Sequence, residues 1–309
     1  MDVSVRNLKR YFGKTRAVDD ISFAFSAGHI FGFVGPNGAG KTTAMRIIAT
    51  IDEPTAGDAT VNGVSVVQDP EKARRLIGFM PDSLPTHKDI TVHEYIDFFA
   101  RAYGVDSGRR DKVVAGVEEF TTLTGIRDKT LRALSKGMKQ RVSLARAMVH
   151  DPAVLILDEP AAGLDPRARI ELRELLKILA ARGKAILVSS HILTELAEIC
   201  DGTVIIEQGR ILRAGTMDEI LAHDAPHRTV AIRTLEPVEV LHRRLLEMPG
   251  VSGARIAGPL VEADIDGADE ACGRVLADLV AAGLHVTEFV HRRAGLEDLF
   301  MHVTKGQVQ

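Results

Sequence analysis

An α/β fold is predicted for this chain: a mixed-sheet core, a helical subdomain inserted into it, and a small α+β domain behind it. Three observations carry the prediction. A strand-like run leads through a glycine-rich loop into a helix-compatible run between residues 28 and 51, and short apolar β-type segments recur as far as residue 209. Between residues 91 and 150 the apolar spacing is helical instead.

Taken in order, "ISFAF" (21–25) and "IFGFV" (30–34) are short runs rich in Ile, Phe and Val, read as strands of the α/β core. The second leads into "VGPNGAGKTT" (34–43), which carries three glycines, a proline and an asparagine and suits neither helix nor strand. It matches the phosphate-cradling pattern G-x-x-x-x-G-K-[ST] from Gly35 to Thr42. Chance alone would produce those four positions in roughly one chain in a hundred, so the flanks decide. "KTTAMRIIATI" follows, with Met45, Ile47 and Ile48 placed to bury one helix face. Glycines at 35, 38 and 40 let backbone N–H groups turn toward phosphate oxygens, and the helix start adds its partial positive charge. Lys41 would reach the outer phosphates and the Thr42 hydroxyl a Mg²⁺ ion. The candidate phosphate-binding residues are Gly35, Pro36, Asn37, Gly38, Ala39, Gly40, Lys41, Thr42 and Thr43.

"IGFM" (77–80), "AVLILDEP" (153–160), "KAILVSSH" (184–191) and "GTVIIEQG" (202–209) are further strands, several without in/out alternation, as buried parallel strands are. "TVHEYIDFFARAYG" (91–104) spaces Val92, Ile96, Phe99 and Tyr103 at helical intervals, and helical character continues to His150. The 309 residues, 45% of them hydrophobic, suffice for two domains. No run approaches the ~18 apolar residues of a membrane span, and no secretory signal is visible, which makes the cytoplasm the expected location. A net charge of −3 gives no general attraction to nucleic acid, and no such partner is expected. Cys200 and Cys272 lie in helix-like stretches and read as buried small hydrophobes.

The stretch "LSKGMKQRVSLARAMVHDPAVLILDEPAAGLDP" (134–166) closely resembles the ATPase subunits of ATP-binding cassette (ABC) transporters, and the resemblance runs from about Val3 to Leu221. "LSKGMKQR" resembles the family's signature, "VLILDEP" its Walker B strand, "GLDP" its D-loop and "SSH" its switch histidine, in the family's order after the glycine loop. A P-loop NTPase cassette over residues 1–223 is implied, with the helical subdomain at about 85–150. So are ATP and Mg²⁺ as cofactors, a separate membrane permease, and a head-to-tail dimer with a second copy or another ABC ATPase subunit. The chain would then sit on the inner face of the cell membrane through that permease.

The chemistry fits the residues. An apolar strand ending in Asp158-Glu159 delivers two carboxylates to the sheet edge where open α/β sheets bind ligands. Asp158 suits the Mg²⁺ sphere and Glu159 suits polarising the attacking water. His191 is implied as a γ-phosphate contact; standing alone it would read as a core histidine. Ser135 alone reads as a helix N-cap; the resemblance implies that Ser135, Lys136 and Gly137 clamp the ATP held by the opposite subunit.

Three departures from the family pattern stand out. The signature reads Ser-Lys-Gly-Met, so Lys136 replaces a glycine. At the adenine-stacking position "RYFGK" (10–14) offers Tyr11 and Phe12, of which Phe12, directly before glycine, is favoured. In "GFMPDS" (78–83) Asp82 stands where the family has glutamine. A carboxylate ~4 Å from a phosphate charge costs about 1 kcal/mol in a watery site and about 4 at an effective dielectric of about 20. Asp82 therefore either ligates Mg²⁺ or serves the loop that couples to the permease.

After Leu221 the cassette resemblance stops. "RTVAIRTL", "PVEVLHRRLLEM", "VSGARIAG", "LVEADID", "DEACGRVLADLVAAG" and "LHVTEFVHRR" predict β-α-β-β-α-β within residues 224–309. "LVEADID" places Val261, Ala263 and Ile265 on one face and Glu262, Asp264 and Asp266 on the other. "GLEDLFMHVT" adds a last helix using Leu296, Leu299, Phe300 and Val303. Similar extensions occur on export-type ABC ATPases; no catalytic cluster is present here, which points to regulation or dimerisation. The leading function is the ATPase subunit of an exporter. The alternatives are a soluble ABC ATPase acting on DNA or ribosomes, for which coiled-coil insertions, tandem cassettes and basic patches are lacking, and a nucleotide-binding module without activity, which the intact Lys41, Asp158, Glu159 and His191 argue against.

Overall fold

Ile30–Val34, Val154–Leu157, Ala185–Ser190 and Gly202–Glu207 are buried at every position. Strands without a solvent face fit only a sheet covered on both sides. The computed structural model, which describes residues 2–84, 89–190, 196–217, 219–220 and 227–292, sets these four side by side as β3, β7, β8 and β9. With β6 (Ile77–Met80) and β10 (Arg210–Thr216) they form a six-stranded sheet of order β10-β9-β3-β8-β7-β6. All pairs are parallel except the β9–β10 hairpin. The register places Val34 beside Ser190, Val188 beside Leu157, and Leu157 beside Met80. The glycine loop, the Asp158-Glu159 pair and the Pro81-Asp82 turn therefore leave the sheet along one edge.

"ISFAF", expected as a strand, lies in a second sheet. Ile21, Phe23 and Phe25 are buried while Ser22 and Ala24 are exposed, the pattern of a strand covered on one face. It lies in β2 (Thr15–Ser26), within an antiparallel sheet of order β2-β1-β4-β5 built with β1 (Asp2–Phe12), β4 (Ala56–Val61) and β5 (Val64–Ser65). Between the sheets, α1 (Lys41–Ile48) buries Ala44, Met45, Ile47 and Ile48, and Phe23 meets Phe33 with ring centroids 5.5 Å apart. A short helix, α2 (Pro70–Leu76), leads into β6.

The insertion folds as α3 (Val92–Ala102), α4 (Ser107–Phe120) and α5 (Lys136–Met148) around their own core, which includes Val92, Ile96, Val114, Leu131 and Val142. Thr91 and Glu94 close a reciprocal cap at the start of α3. Three side chains of α5 and its end bind the β6 segment. Gln140 Nε2 donates to the Asp82 carbonyl (3.3 Å), Arg146 Nη2 to Phe79 (2.7 Å), and His150 Nε2 lies 3.1 Å from the Ile77 carbonyl. The His150 ring stacks on Tyr103 at 3.8 Å. Helix α6 (Pro166–Ala181) returns the chain to β8.

Burial pushes the His150 pKa from its usual 6.5 down to about 4. Between these values the unfolded chain takes up a proton that the folded one does not, so this contribution is full above about pH 6.5 and is lost as pH falls toward 4. Wild type should accordingly lose more Tm between about pH 7 and pH 5 than His150→Gln, whose amide can still donate to Ile77. Equal losses in thermal melts would show that His150 is not the titrating group.

After Met217 a second compact unit begins. It runs β11 (His227–Thr234), α7 (Val238–Leu246), β12 (Val251–Ala257), β13 (Leu260–Asp266), α8 (Asp269–Ala281) and β14 (Val286–Arg292), with antiparallel order β12-β13-β11-β14. Val261, Ala263 and Ile265 are fully buried with Leu241, Leu245, Val275 and Leu279. Glu262, expected on the open face, is only 3% exposed, because Arg255 of the neighbouring strand lies over it with Nε 2.6 Å from its carboxylate. Cys200 and Cys272 are buried free thiols. Among the described residues no helix is long and apolar enough to cross a membrane. The helix expected around Leu296, Leu299, Phe300 and Val303 lies outside the described residues.

Candidate functional site

The glycine loop is held open by its neighbours. A Cβ on Gly35 would lie 2.2 Å from the Ile206 carbonyl, and one on Gly40, whose φ is +102°, would lie 2.1 Å from the Ala17 carbonyl, so only glycine fits either position. Gly40 caps α1 in the left-handed region with no side chain bonded to the first-turn N–H groups, which face the loop as donors for an anion. Lys41 is 6% exposed, and its ammonium donates to the carbonyls of Gly35 (2.7 Å) and Pro36 (3.1 Å). Burial lowers its pKa, while the charges of Glu159 and Asp158 act in the opposite direction. Beside it opens a cleft of about 290 Å³ lined by Ala17, Asn37, Gly38, Ala39, Gly40, Lys41, Thr42, Thr43, Asp82, Asp158 and Glu159.

The acidic wall is built from three strand ends. Asp158, 2% exposed, accepts from the Thr42 hydroxyl at 2.8 Å on one oxygen and from the Ser189 hydroxyl at 2.7 Å on the other. Ser189 Oγ in turn accepts from the Glu159 N–H at 2.8 Å. Glu159 holds φ at +48°, a conformation unfavourable for a residue with a Cβ and imposed here by the turn that follows β7. One serine thus fixes the Asp158 carboxylate and the Glu159 backbone together. Ser189 did not emerge as a site residue from the sequence; its only signal there was a hydroxyl pair closing an otherwise apolar strand.

Asp82 reaches the cleft with an exposed side chain, while Gln140 of α5 holds its carbonyl. Ser135, Lys136 and Gly137 do not line this cleft. Ser135 Oγ caps α5 by accepting from the Met138 N–H (3.3 Å), Lys136 packs over Gly163, and Gly137 lines a separate cleft with Leu164 and Arg141. The two candidate aromatics differ sharply. Tyr11 donates its hydroxyl to Asp19 at 2.7 Å, whereas the Phe12 ring is 50% exposed with the Arg10 guanidinium 4.5 Å from its centroid. His191 lies outside the described residues.

This arrangement can receive a polyphosphate on the loop and a hard cation against the acidic wall. The Thr42 hydroxyl and Asp158 carboxylate are oxygen donors on one edge, the chemistry Mg²⁺ selects. Among the described residues no group of three or more His, Cys, Asp or Glu could hold a metal alone, consistent with an ion that takes its remaining ligands from phosphates and water.

Residues 18–162 match the ABC transporter family. The Nod factor export ATP-binding protein I of Ralstonia nicotianae is 33% identical over 98% of this chain and 93% of its own length. That of Paraburkholderia xenovorans is 35% identical over 98% and 96%. A solved structure described as the ATP-binding subunit of an ABC transporter superposes with a TM-score of 0.67 at 30% identity, covering 72% of this chain and 93% of its own. A dimeric cassette in a post-hydrolysis state with ADP and Pi, 24% identical, shares the fold with a TM-score of 0.64 over 70% of this chain and 98% of its own.

Proposed function

The chain belongs to the ATP-binding, ATP-hydrolysing subunits of ABC transporters, and from that membership we propose that two copies of it pair head to tail on the inner face of the membrane and drive export through a separate permease. The observation that carries the reading is the Thr42–Asp158–Ser189–Glu159 chain on the rim of the glycine-loop cleft. Export is supported by the relatives' roles as export ATP-binding proteins; that their cargo is a Nod factor is a property of those proteins.

In this reading the loop N–H groups and Lys41 bind the phosphates, and Thr42 and Asp158 hold Mg²⁺. The bound ion would offset charge on the phosphate oxygens. Glu159 accepts a proton from the attacking water, and Ser189 holds the Glu159 backbone while fixing the Asp158 carboxylate. His191 is assigned the γ-phosphate contact through its place after β8. Phe12 takes the adenine ring. Ser135, Lys136 and Gly137 serve the nucleotide of the other copy, in keeping with their position away from this chain's own cleft. We assign residues 1–223 to the cassette and 224–309 to a regulatory or dimerisation domain.

Asp82 is placed in coupling to the permease, because its loop is gripped by α5 of the helical subdomain while its carboxylate would repel phosphate. The test uses the purified chain and its reconstitution with its permease, to be sought as a six-span membrane protein among the adjacent genes. Wild type should show Mg²⁺-dependent ATPase activity and ATP-driven outward transport, and lack of either overturns the reading. Asp82→Ala should leave basal ATPase within about twofold while transport falls about tenfold or more. A raised Mg²⁺ requirement in the isolated subunit would make Asp82 a metal ligand instead.

A further inference from the structure

We propose that Asp19 is a positioning residue for the base of the bound nucleotide: through Tyr11 and Arg210 its carboxylate fixes the tip of the β1–β2 hairpin, and with it Phe12, relative to the phosphate loop. The inference rests on the reading of Phe12 as the base platform.

A platform works only at a set distance from the site that holds the phosphates, because the nucleotide is anchored at both ends. Backbone pairing reaches the tip here only through an irregular register. The β1–β2 ladder is irregular toward its tip, with register shifts between Val5 and Leu8, Leu8 and Arg10, and Arg10 and Tyr11, before Phe12 pairs with Thr15. The last turn of the hairpin needs another anchor.

Asp19 supplies it. Its carboxylate is only 9% exposed although it lies amid charged side chains. One oxygen accepts from the Tyr11 hydroxyl at 2.7 Å; the other accepts from Arg210 Nε at 3.0 Å and Nη2 at 2.7 Å, with Arg16 Nη1 at 3.5 Å. The Arg16 guanidinium also lies over the Tyr11 ring, 5.5 Å from its centroid. Tyr11 is the residue next to Phe12, and Arg210 opens β10 directly after the Gln208-Gly209 turn. That turn touches the phosphate loop: the Gly209 N–H donates to the Ala39 carbonyl at 3.0 Å, and the Gly209 carbonyl accepts from the Asp19 N–H at 2.8 Å. The path from platform to phosphates is therefore Phe12, Tyr11, Asp19, Gly209, Ala39. The Tyr11 hydroxyl bond, followed by the Arg210 bonds, holds the Asp19 pKa down to about 2, so the anchor stays ionised at any working pH.

The division of labour within Asp19 makes the role separable from folding. Its backbone N–H joins the hairpin to the β9–β10 turn and survives any side-chain change. Its carboxylate bonds the side chains of Tyr11 and Arg210 and, among the described residues, makes no hydrogen bond to the phosphate loop itself. Removing the carboxylate should therefore loosen the grip on the base and spare the grip on the phosphates.

The experiment measures binding of AMP-PNP and of inorganic tripolyphosphate to the full chain by calorimetry, for wild type, Asp19→Ala, Tyr11→Phe and Phe12→Ala. Phe12→Ala should raise the AMP-PNP Kd about tenfold, a typical loss for a base-stacking aromatic. Asp19→Ala should raise it by a similar factor and Tyr11→Phe about threefold, with the tripolyphosphate Kd within about twofold of wild type in all. An AMP-PNP loss in Phe12→Ala but in neither Asp19→Ala nor Tyr11→Phe overturns the role of Asp19 and leaves the platform standing. Equal losses for both ligands in Asp19→Ala mean a general structural effect and also overturn it. An unchanged Phe12→Ala removes the platform, and the positioning role with it. Should Asp19→Ala prove insoluble, Tyr11→Phe, which deletes one hydroxyl, carries the same comparison.

Discussion

Replacing Glu159 with glutamine should cut steady-state ATP hydrolysis at least a hundredfold while the Kd for ATP stays within about threefold of wild type. A positioned general base contributes about 10²- to 10⁴-fold, and a hundredfold loss corresponds to about 2.7 kcal/mol of barrier. Glutamine keeps the shape of the side chain and cannot take up the proton. The surrounding structure has no reason to move: the residue is anchored by its backbone N–H on Ser189, and Asp158 keeps both hydroxyl donors. A purified Glu159→Gln protein that hydrolyses ATP at the wild-type rate would require a different base.

Lys41→Ala should fail at an earlier step, raising the Kd for ATP about a hundredfold, or about 2.7 kcal/mol. Two losses combine. The ammonium that would meet the phosphates is gone, and the carbonyls of Gly35 and Pro36 lose the buried donor that holds the loop in shape. The pair of variants separates binding from chemistry, since one should bind without turning over and the other should not bind. Calorimetric titration with a non-hydrolysable analogue reads the difference. Retained affinity in Lys41→Ala would reduce Lys41 to a brace for its own loop.

How much of this was legible in the sequence depended on how local each feature is. The glycine loop is contiguous, and its strand-loop-helix context lies within about twenty residues, so Gly35 through Thr43 could be read directly. Asp158-Glu159 ends an apolar run and declares itself in the same way. The C-terminal βαββαβ order followed from period-2 alternation, as in Val261, Ala263 and Ile265, although the burial of Glu262 under Arg255 depends on strand pairing that alternation does not encode. Ser189 joins the candidate site only because β8 lies beside β7 in a register that brings its hydroxyl to Asp158. The Asp19–Arg210 bond spans 191 positions, and no local pattern announces a contact of that range. "ISFAF" was legible as a strand, but its place in the antiparallel sheet depends on pairing with β1 that no local pattern encodes.

The central claim, that ATP closes its site between two copies of this chain, is tested most directly by sedimentation velocity of the Glu159→Gln protein with and without MgATP. Its own cleft holds the glycine loop and the acidic wall, while Ser135, Lys136 and Gly137 lie away from it. In the proposed head-to-tail pair, the second copy brings those groups to the nucleotide. With hydrolysis blocked, saturating MgATP should convert the monomer to a dimer, and removal of Mg²⁺ or the further change Ser135→Arg should return it to monomer. A protein that binds ATP with full affinity and still sediments as a monomer would contradict the account.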